Sequence, residues 1–385
     1  SVPVTNSLRP LHPNSSPIAE LSLRSAGSVY TCSHPMPSMD EPTSVFLVLS
    51  GEHPTLPMAE MKAILDANNI PFTLTGSFYK LAEIRANIDA VKKVGGRGAF
   101  IDEVGREIVH SKPTIPEIDD AVKSSNITHY LGEKDTFNIR VLRFGGVSKE
   151  TSRVKLEGHL GWLINTITGA KVDLENPTHQ FRGIFSGPLF HLGLIAHQRP
   201  ADFVASRRPR KRPAFHPSTM QPKLARSMVN LSSVVPGTKF MDPFCGVGGI
   251  LIEAGLLGCQ LIGMDAAGRM LRGSRRNLRH FEMKPLGLLR GDARNIPVRY
   301  VEAIATDPPY GTGASTLKST TKNILKEFLP GAHSILTKQR RLVIASPLGT
   351  GTPDIAESAG FRIVDHHEVY VHRRLTREIL VLEAN

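Results

Sequence analysis

Residues 239–257 read KFMDPFCGVGGILIEAGLL. The opening Lys239-Phe-Met-Asp242 has the apolar character of a short buried strand and 250–257 that of a helix, with a glycine-rich loop between them. The alternation continues outward. A strand at 260–265 precedes a helix through 281. Segments 286–290, 303–306 and 341–346 read as three more strands, and 361–364 and 378–383 as a closing pair. Alternating β and α segments predict a doubly wound, Rossmann-like α/β sheet that takes its ligand at the carboxyl ends of its strands.

Glycines between a strand and a helix let the backbone adopt positive φ and approach a ligand, while the helix N-terminus offers free N–H donors. Gly246 and Gly248 are present, but Leu251 stands where a GxGxxG fingerprint needs its third glycine. A dinucleotide with a pyrophosphate therefore fits poorly. Alone, the loop is equally a tight packing turn; the residues downstream tip the balance. Asp242, Asp265 and Asp292 end three successive strands and so share one rim of the sheet. A carboxylate at 265 suits a ribose diol. One at 292, in Arg290-Gly-Asp-Ala293, suits an adenine amine. Together they point to a cationic, adenosine-bearing ligand without phosphates.

Ile304-Ala-Thr-Asp-Pro-Pro-Tyr-Gly311 follows the fourth strand. Its two prolines fix φ and cannot donate, so the Asp307 side chain and nearby carbonyls stand as acceptors on a rigid spur. Tyr310 adds a flat face for an unstacked base. This combination suits methylation of an exocyclic nucleobase amine, whose lone pair is delocalised into the ring. Acceptors gripping its N–H groups would localise that pair, and Asp307 could receive the proton.

The chain has 385 residues, enough for two or three domains. Hydrophobic residues make up 40% and charged ones 21%, so most of it can bury a core. Its 47 Lys and Arg against 35 Asp and Glu give a net charge of +12, which favours a polyanionic partner. Cys32, Cys245 and Cys259 make neither a disulfide framework nor a metal cluster, and a reducing cytosol fits best. No uncharged apolar run is long enough to span a bilayer, and SVPVTNSLRPLHPNSSPIAE lacks a secretory core. Neither a membrane protein nor a secreted one is expected.

Residues 1–42, rich in Ser and Pro, are expected to be a disordered extension. Ser44-Val-Phe-Leu-Val-Leu-Ser50 reads as a buried strand and 58–68 as a helix, opening a small α+β unit. In a second unit, 137–143 reads as a strand and 153–168 as an amphipathic helix. Strand signals at 171–177 and 185–196 flank an expected turn at Phe181-Arg182-Gly183. Pro200, Pro209, Pro213 and Pro217 then forbid a regular helix and mark a boundary.

Four segments, FMDPFCGVGGILIEAG, GMDAAGRMLRGSRRNL, RGDARNIP and ATDPPYG, resemble the successive motifs of class I S-adenosylmethionine-dependent amino-methyltransferases. HPSTMQPKLARSMVNLS resembles that family's preceding helix, and the whole is similar to archaeal tRNA guanosine-10 N2-methyltransferases. VDLENPTHQFRGIF resembles a THUMP RNA-binding domain. The resemblance implies a ferredoxin-like domain at 44–98, THUMP at 99–198, a basic Pro-rich linker at 199–217 and a methyltransferase domain at 218–385. It implies that Asp242, Gly246, Gly248, Asp265, Asp292 and Ala293 hold S-adenosyl-L-methionine. Asp307, Pro308, Pro309 and Tyr310 would grip guanine, with tRNA as partner and the cytoplasm as location. One departure is Thr312-Gly313-Ala314-Ser315, where relatives commonly place a basic residue.

Arg207, Arg208, Arg210, Lys211 and Arg212 form a cationic run in the linker, expected to contact RNA phosphates; Arg182 is a further, weaker candidate. Arg269, Arg272, Arg276 and Arg279 read as a solvated helix face. The histidines show no metal-ligand spacing, so no metal site is expected. Rival readings are guanine N2 methylation at another tRNA or ribosomal RNA position, and a catalytically idle RNA-binding protein. The sequence leaves open one methyl or two, the oligomeric state and a small activating protein subunit.

Overall fold

The computed structural model describes residues 41–146, 152–310 and 320–385. Residues 1–40 of the expected extension, with Cys32, and the departure at 312–315 lie outside the described residues. The first half runs β1 (Thr43–Leu49), α1 (Leu56–Ala67), β2 (Phe72–Phe78), β3 (Leu81–Ala86), α2 (Ile88–Gly95), β4 (Ile101–Ser111) and α3 (Ile115–Lys123). It continues with β5 (Thr136–Arg143), α4 (Arg153–Thr168), β6 (Lys171–Val172), β7 (His179–Ser186) and β8 (Leu189–Gln198). The second half runs α5 (Pro222–Leu231), β9 (Lys239–Asp242), α6 (Gly249–Gly255), β10 (Gln260–Asp265), α7 (Gly268–His280), β11 (Gly287–Arg290) and β12 (Val301–Thr306). Then follow α8 (Thr321–Ile335), β13 (Leu336–Pro347), α9 (Thr352–Ser358), β14 (Phe361–His372) and β15 (Leu375–Ala384).

One eight-stranded sheet, ordered β2-β3-β1-β4-β8-β7-β5-β6, spans both expected N-terminal modules. The expected boundary at 98/99 falls just before β4, which pairs antiparallel with β1 on one side and β8 on the other. Helix α4 is fixed at both ends: Ser152 accepts the Lys155 N–H, and Gly169 closes it at φ 75°. Leu156, Leu160, Leu163 and Ile164 bury one face of α4, while Trp162 faces out.

Phe181-Arg182-Gly183 is not a turn. It lies inside β7, between β5 and β8, and the chain reverses instead at Gly187. Gly183 is needed for packing: a Cβ there would stand 3.1 Å from Val141 and 3.2 Å from Phe190. The strand expected at 171–177 shortens to β6, because Asp173 accepts the N–H groups of Glu175 and Asn176 and turns the chain.

The second sheet is ordered β11-β10-β9-β12-β13-β15-β14. Only β15 runs against its neighbours. Helices α5, α6 and α7 cover one face, and α8 and α9 the other. The strand order reverses between β9 and β12, and that switch point opens a crevice at their carboxyl ends. Glu60 of α1 joins the halves: its fully buried carboxylate accepts the Ala99 and Phe100 N–H groups and the Asn230 amide.

Candidate active site

The carboxyl ends of β9 to β12 enclose a cavity of about 490 Å³. Asp242, Asp265, Asp292, Ala293 and Gly246 line it together with Asp307, Pro308, Pro309 and Tyr310, so two groups of expected site residues share one space. Gly248 stands behind the wall. A Cβ there would meet Ser274 Oγ at 2.7 Å, and its φ of 84° is one that side chains rarely adopt. Gly246, at φ 52°, has open space around it and needs only its conformation.

Asp242 ends β9 and is 2% exposed. Its Oδ1 accepts the Thr306 hydroxyl at 2.7 Å and the Phe244 N–H at 3.1 Å, which ties the glycine loop to the end of β12. Burial pushes its carboxyl up to about 7, and Asp307 and Asp265 add to the rise. Asp265 ends β10 and accepts the Gly246 N–H at 3.0 Å on one oxygen and the Ala267 N–H at 2.7 Å on the other. Burial raises it as well. Asp292 sits under Arg294, whose Nε donates to Oδ2 at 2.8 Å while the Arg294 N–H reaches Oδ1 at 3.0 Å. That guanidinium holds the Asp292 carboxyl below its ordinary value.

Asp307 follows β12, next to the Thr306 that binds Asp242. Its Oδ2 accepts from Arg377 Nη2 at 2.9 Å and its Oδ1 from the Tyr310 hydroxyl. Burial raises the carboxyl to about 6, against the opposing pull of Arg377. The guanidinium also lies 5.7 Å from the centre of the Tyr310 ring. Thr321, in the first turn of α8, donates to the Pro309 carbonyl at 3.2 Å and anchors the spur. Arg377 was not singled out in the sequence, where it lies 70 residues beyond Asp307. It reaches the site because β15 enters the sheet antiparallel, with Arg377 opposite Pro347 at the carboxyl end of β13.

The chain is 37% identical to the tRNA (guanine(10)-N2)-dimethyltransferase of Methanothermobacter thermautotrophicus over 343 residues, spanning 88% of this chain and 99% of that protein. It belongs to the archaeal tRNA (guanine(10)-N2)-dimethyltransferase family. The enzyme of that name from Pyrococcus abyssi is 30% identical across 88% of this chain and 99% of its own length. Residues 209–379 match the family described as RMKL-like, methyltransferase domain. Among solved structures, TrmN from Thermus thermophilus aligns with a TM-score of 0.51 and 20% identity over 89% of this chain and 100% of that one. SMU.472, solved in complex with SAH, aligns with a TM-score of 0.52 and 14% identity over 90% and 99%. At such identities the likeness is one of fold.

In this family member the expected RNA-contacting cations divide by exposure. Arg208, Arg210 and Lys211 are exposed. Arg207 and Arg212 are buried, and so is Arg182. Arg207 Nε donates to Glu253 at 2.9 Å, Arg226 Nε reaches the other oxygen of Glu253 at 2.8 Å, and Arg212 Nε binds the Arg207 carbonyl at 2.7 Å. Arg182 makes a two-point pair with Glu103, its Nε at 2.7 Å. Arg182, Arg207 and Arg212 are thus tied into the interior, whereas the other three cations face outward. Short 3₁₀ turns around Pro209 alternate the side chains inward and outward. Arg269 is exposed, as expected of that helix face, and also lines the cavity.

Proposed function

We propose that this protein methylates N2 of guanosine 10 in tRNA, with S-adenosyl-L-methionine as donor. The observation that carries the reading is the shared cavity, lined both by Asp242, Asp265 and Asp292 and by the Asp307 to Tyr310 spur. The lining suits the donor. Asp242 is buried and has no cationic partner among the described residues, so a cation in the cavity would favour its ionised form. When bound, S-adenosyl-L-methionine supplies a methyl carbon activated by its sulfonium charge.

The chain's own residues then orient and polarise. Asp265 would present its remaining lone pairs to the ribose hydroxyls, and Asp292 and Ala293 would face the adenine. Asp307 would accept an N–H of the guanine amine, concentrating the lone pair on N2, and take up the proton as the new C–N bond forms. Arg377 favours the ionised carboxylate needed for both steps. Tyr310, fixed by its hydroxyl bond to Asp307, offers its ring to a base flipped out of the tRNA. The relatives named dimethyltransferases extend the reading to two successive transfers.

The exposed Arg208, Arg210 and Lys211 lie in a connector whose continuation, His216 to Met220, forms part of the cavity wall. That continuity supports phosphate contacts which orient tRNA toward the site. We assign the ferredoxin-like (44–98) and THUMP (99–198) regions to tRNA binding, and the protein to the cytoplasm. No helix of the described residues is long and apolar enough to cross a membrane.

Nucleoside mass spectrometry of an unmodified tRNA transcript treated with protein and donor tests the proposal. N2-methylated guanosine should map to position 10. Asp307→Ala should abolish transfer while tRNA affinity stays nearly unchanged. Full activity in that variant would overturn the assignment of Asp307, and methylation elsewhere would overturn the position.

A further inference from the structure

Strand β1 packs Val45, Leu47 and Leu49 toward α1 and α2, so Phe46 and its register partner Glu83 face the other side of the sheet. On that side Glu83 of β3, Glu107 and His110 of β4, and His191 of β8 converge, one ligand atom from each lying within 4.8 Å of the others. His191 Nδ1 is 2.8 Å from Glu107 Oε1 and 3.0 Å from Glu83 Oε1; His110 Nδ1 is 3.4 Å from Glu107 Oε1. Four atoms held about 2.0 Å from a tetrahedral zinc ion stand about 3.3 Å apart. Three of the six separations, 2.8, 3.0 and 3.4 Å, fall around that edge, and the others stay within 4.8 Å.

Hydrogen bonding alone leaves this cluster incomplete. The His191 side chain is 0% exposed and that of Glu83 9%. An imidazole nitrogen carries at most one proton, and Nδ1 is hydrogen-bonded to Glu107. Glu83 Oε1, aimed at the same nitrogen, is buried with no hydrogen-bond partner. A second carboxylate oxygen brought into a buried site without a donor is costly.

We propose that Glu83, Glu107, His110 and His191 bind a zinc ion. Two imidazole nitrogens beside two carboxylates suit zinc; magnesium and calcium prefer oxygen-only shells. Four protein ligands leave no open position, so the ion's role is structural. It ties β3 to β4 and β8 across β1, joining the expected ferredoxin-like and THUMP regions. The ligands come from three strands, which is why no sequence spacing reveals them.

Full-length protein purified without chelator should contain about one zinc per chain by plasma mass spectrometry. After chelation, cobalt(II) should give the visible bands of a tetrahedral site, and adding zinc back should raise the unfolding midpoint. His110 has a half-exposed side chain, so His110→Gln should fold normally yet bind zinc at least about tenfold more weakly; Glu107→Gln should do the same. Chelated, folded protein that takes up neither zinc nor cobalt at micromolar concentration overturns the proposal. So does uptake that is equal in the wild type and both variants, since the ion then sits elsewhere.

Discussion

In the seven-stranded sheet, Asp242 and Asp265 end their strands and Asp292 and Asp307 follow theirs closely, and all four open into one cavity. In the eight-stranded sheet, Glu83, Glu103, Glu107, Arg182 and His191 sit within strands and meet in two sets, Glu103 with Arg182 and both Glu83 and Glu107 with His191. A charge at a strand end keeps lone pairs or protons free for a ligand. A charge within a buried face must be matched there, by another side chain or by a bound ion. Position along the strand therefore separates the groups that line the cavity from those that hold the fold, and residue type alone does not.

The same division runs through the basic connector, and removing Glu253 should show it most strongly. Its carboxylate is fully buried between Arg207 and Arg226, so Glu253→Ala leaves two guanidinium groups unmatched. Unfolding free energy measured in urea should fall by about 3–5 kcal/mol. Replacing the exposed Arg208, Arg210 and Lys211 by Gln should change it by no more than about 0.5 kcal/mol. Similar losses in both variants would erase the contrast.

At the rim, Arg377→Gln should lower kcat by about 100-fold, as loss of one aligned charge-stabilising donor does, with tRNA affinity close to that of the wild type. The variant also carries a pH signature. Asp307, held at about 6, is the ionised acceptor above that pH and is protonated below it, so wild-type kcat should fall as pH drops through about 6. Arg377 opposes that rise, so its loss should move the inflection upward. An inflection that stays in place would remove Arg377 from the site's electrostatics.

The smallest effect separates outward cations from inward ones. The triple Gln variant should reduce the salt dependence of tRNA binding by about two to three counterions, at roughly 0.7–0.9 per cation. Arg182→Ala should weaken the fold by leaving Glu103 unpaired, yet leave the salt slope as it was. A reduced slope in Arg182→Ala would place that guanidinium on RNA after all.

Strand and helix alternation made the second sheet readable, because each parallel strand and its return helix occupy adjacent sequence. The aspartates at successive strand ends were readable for the same reason. Arg377 was not. It sits in Leu375-Thr-Arg-Glu-Ile379, an ordinary strand segment, and only the reversed direction of β15 brings it to Asp307. The inward turn of Arg207 and Arg212 was also hidden, since a run of cations looks alike whichever side chains the short 3₁₀ turns bury. The place of Arg182 inside a strand was hidden as well, since Gly183 serves there to make room for Phe190.

Strand β15 lies between β13 and β14 although it follows both along the chain. During synthesis, β14 emerges with no strand to pair with, and β13 keeps an open edge until β15 slides between them. The guanidinium beside Asp307 arrives with that same segment. Completion of the sheet and pairing of Asp307 thus coincide, and a nascent chain still short of Leu375 has a glycine loop and an acidic spur but no cation beside it.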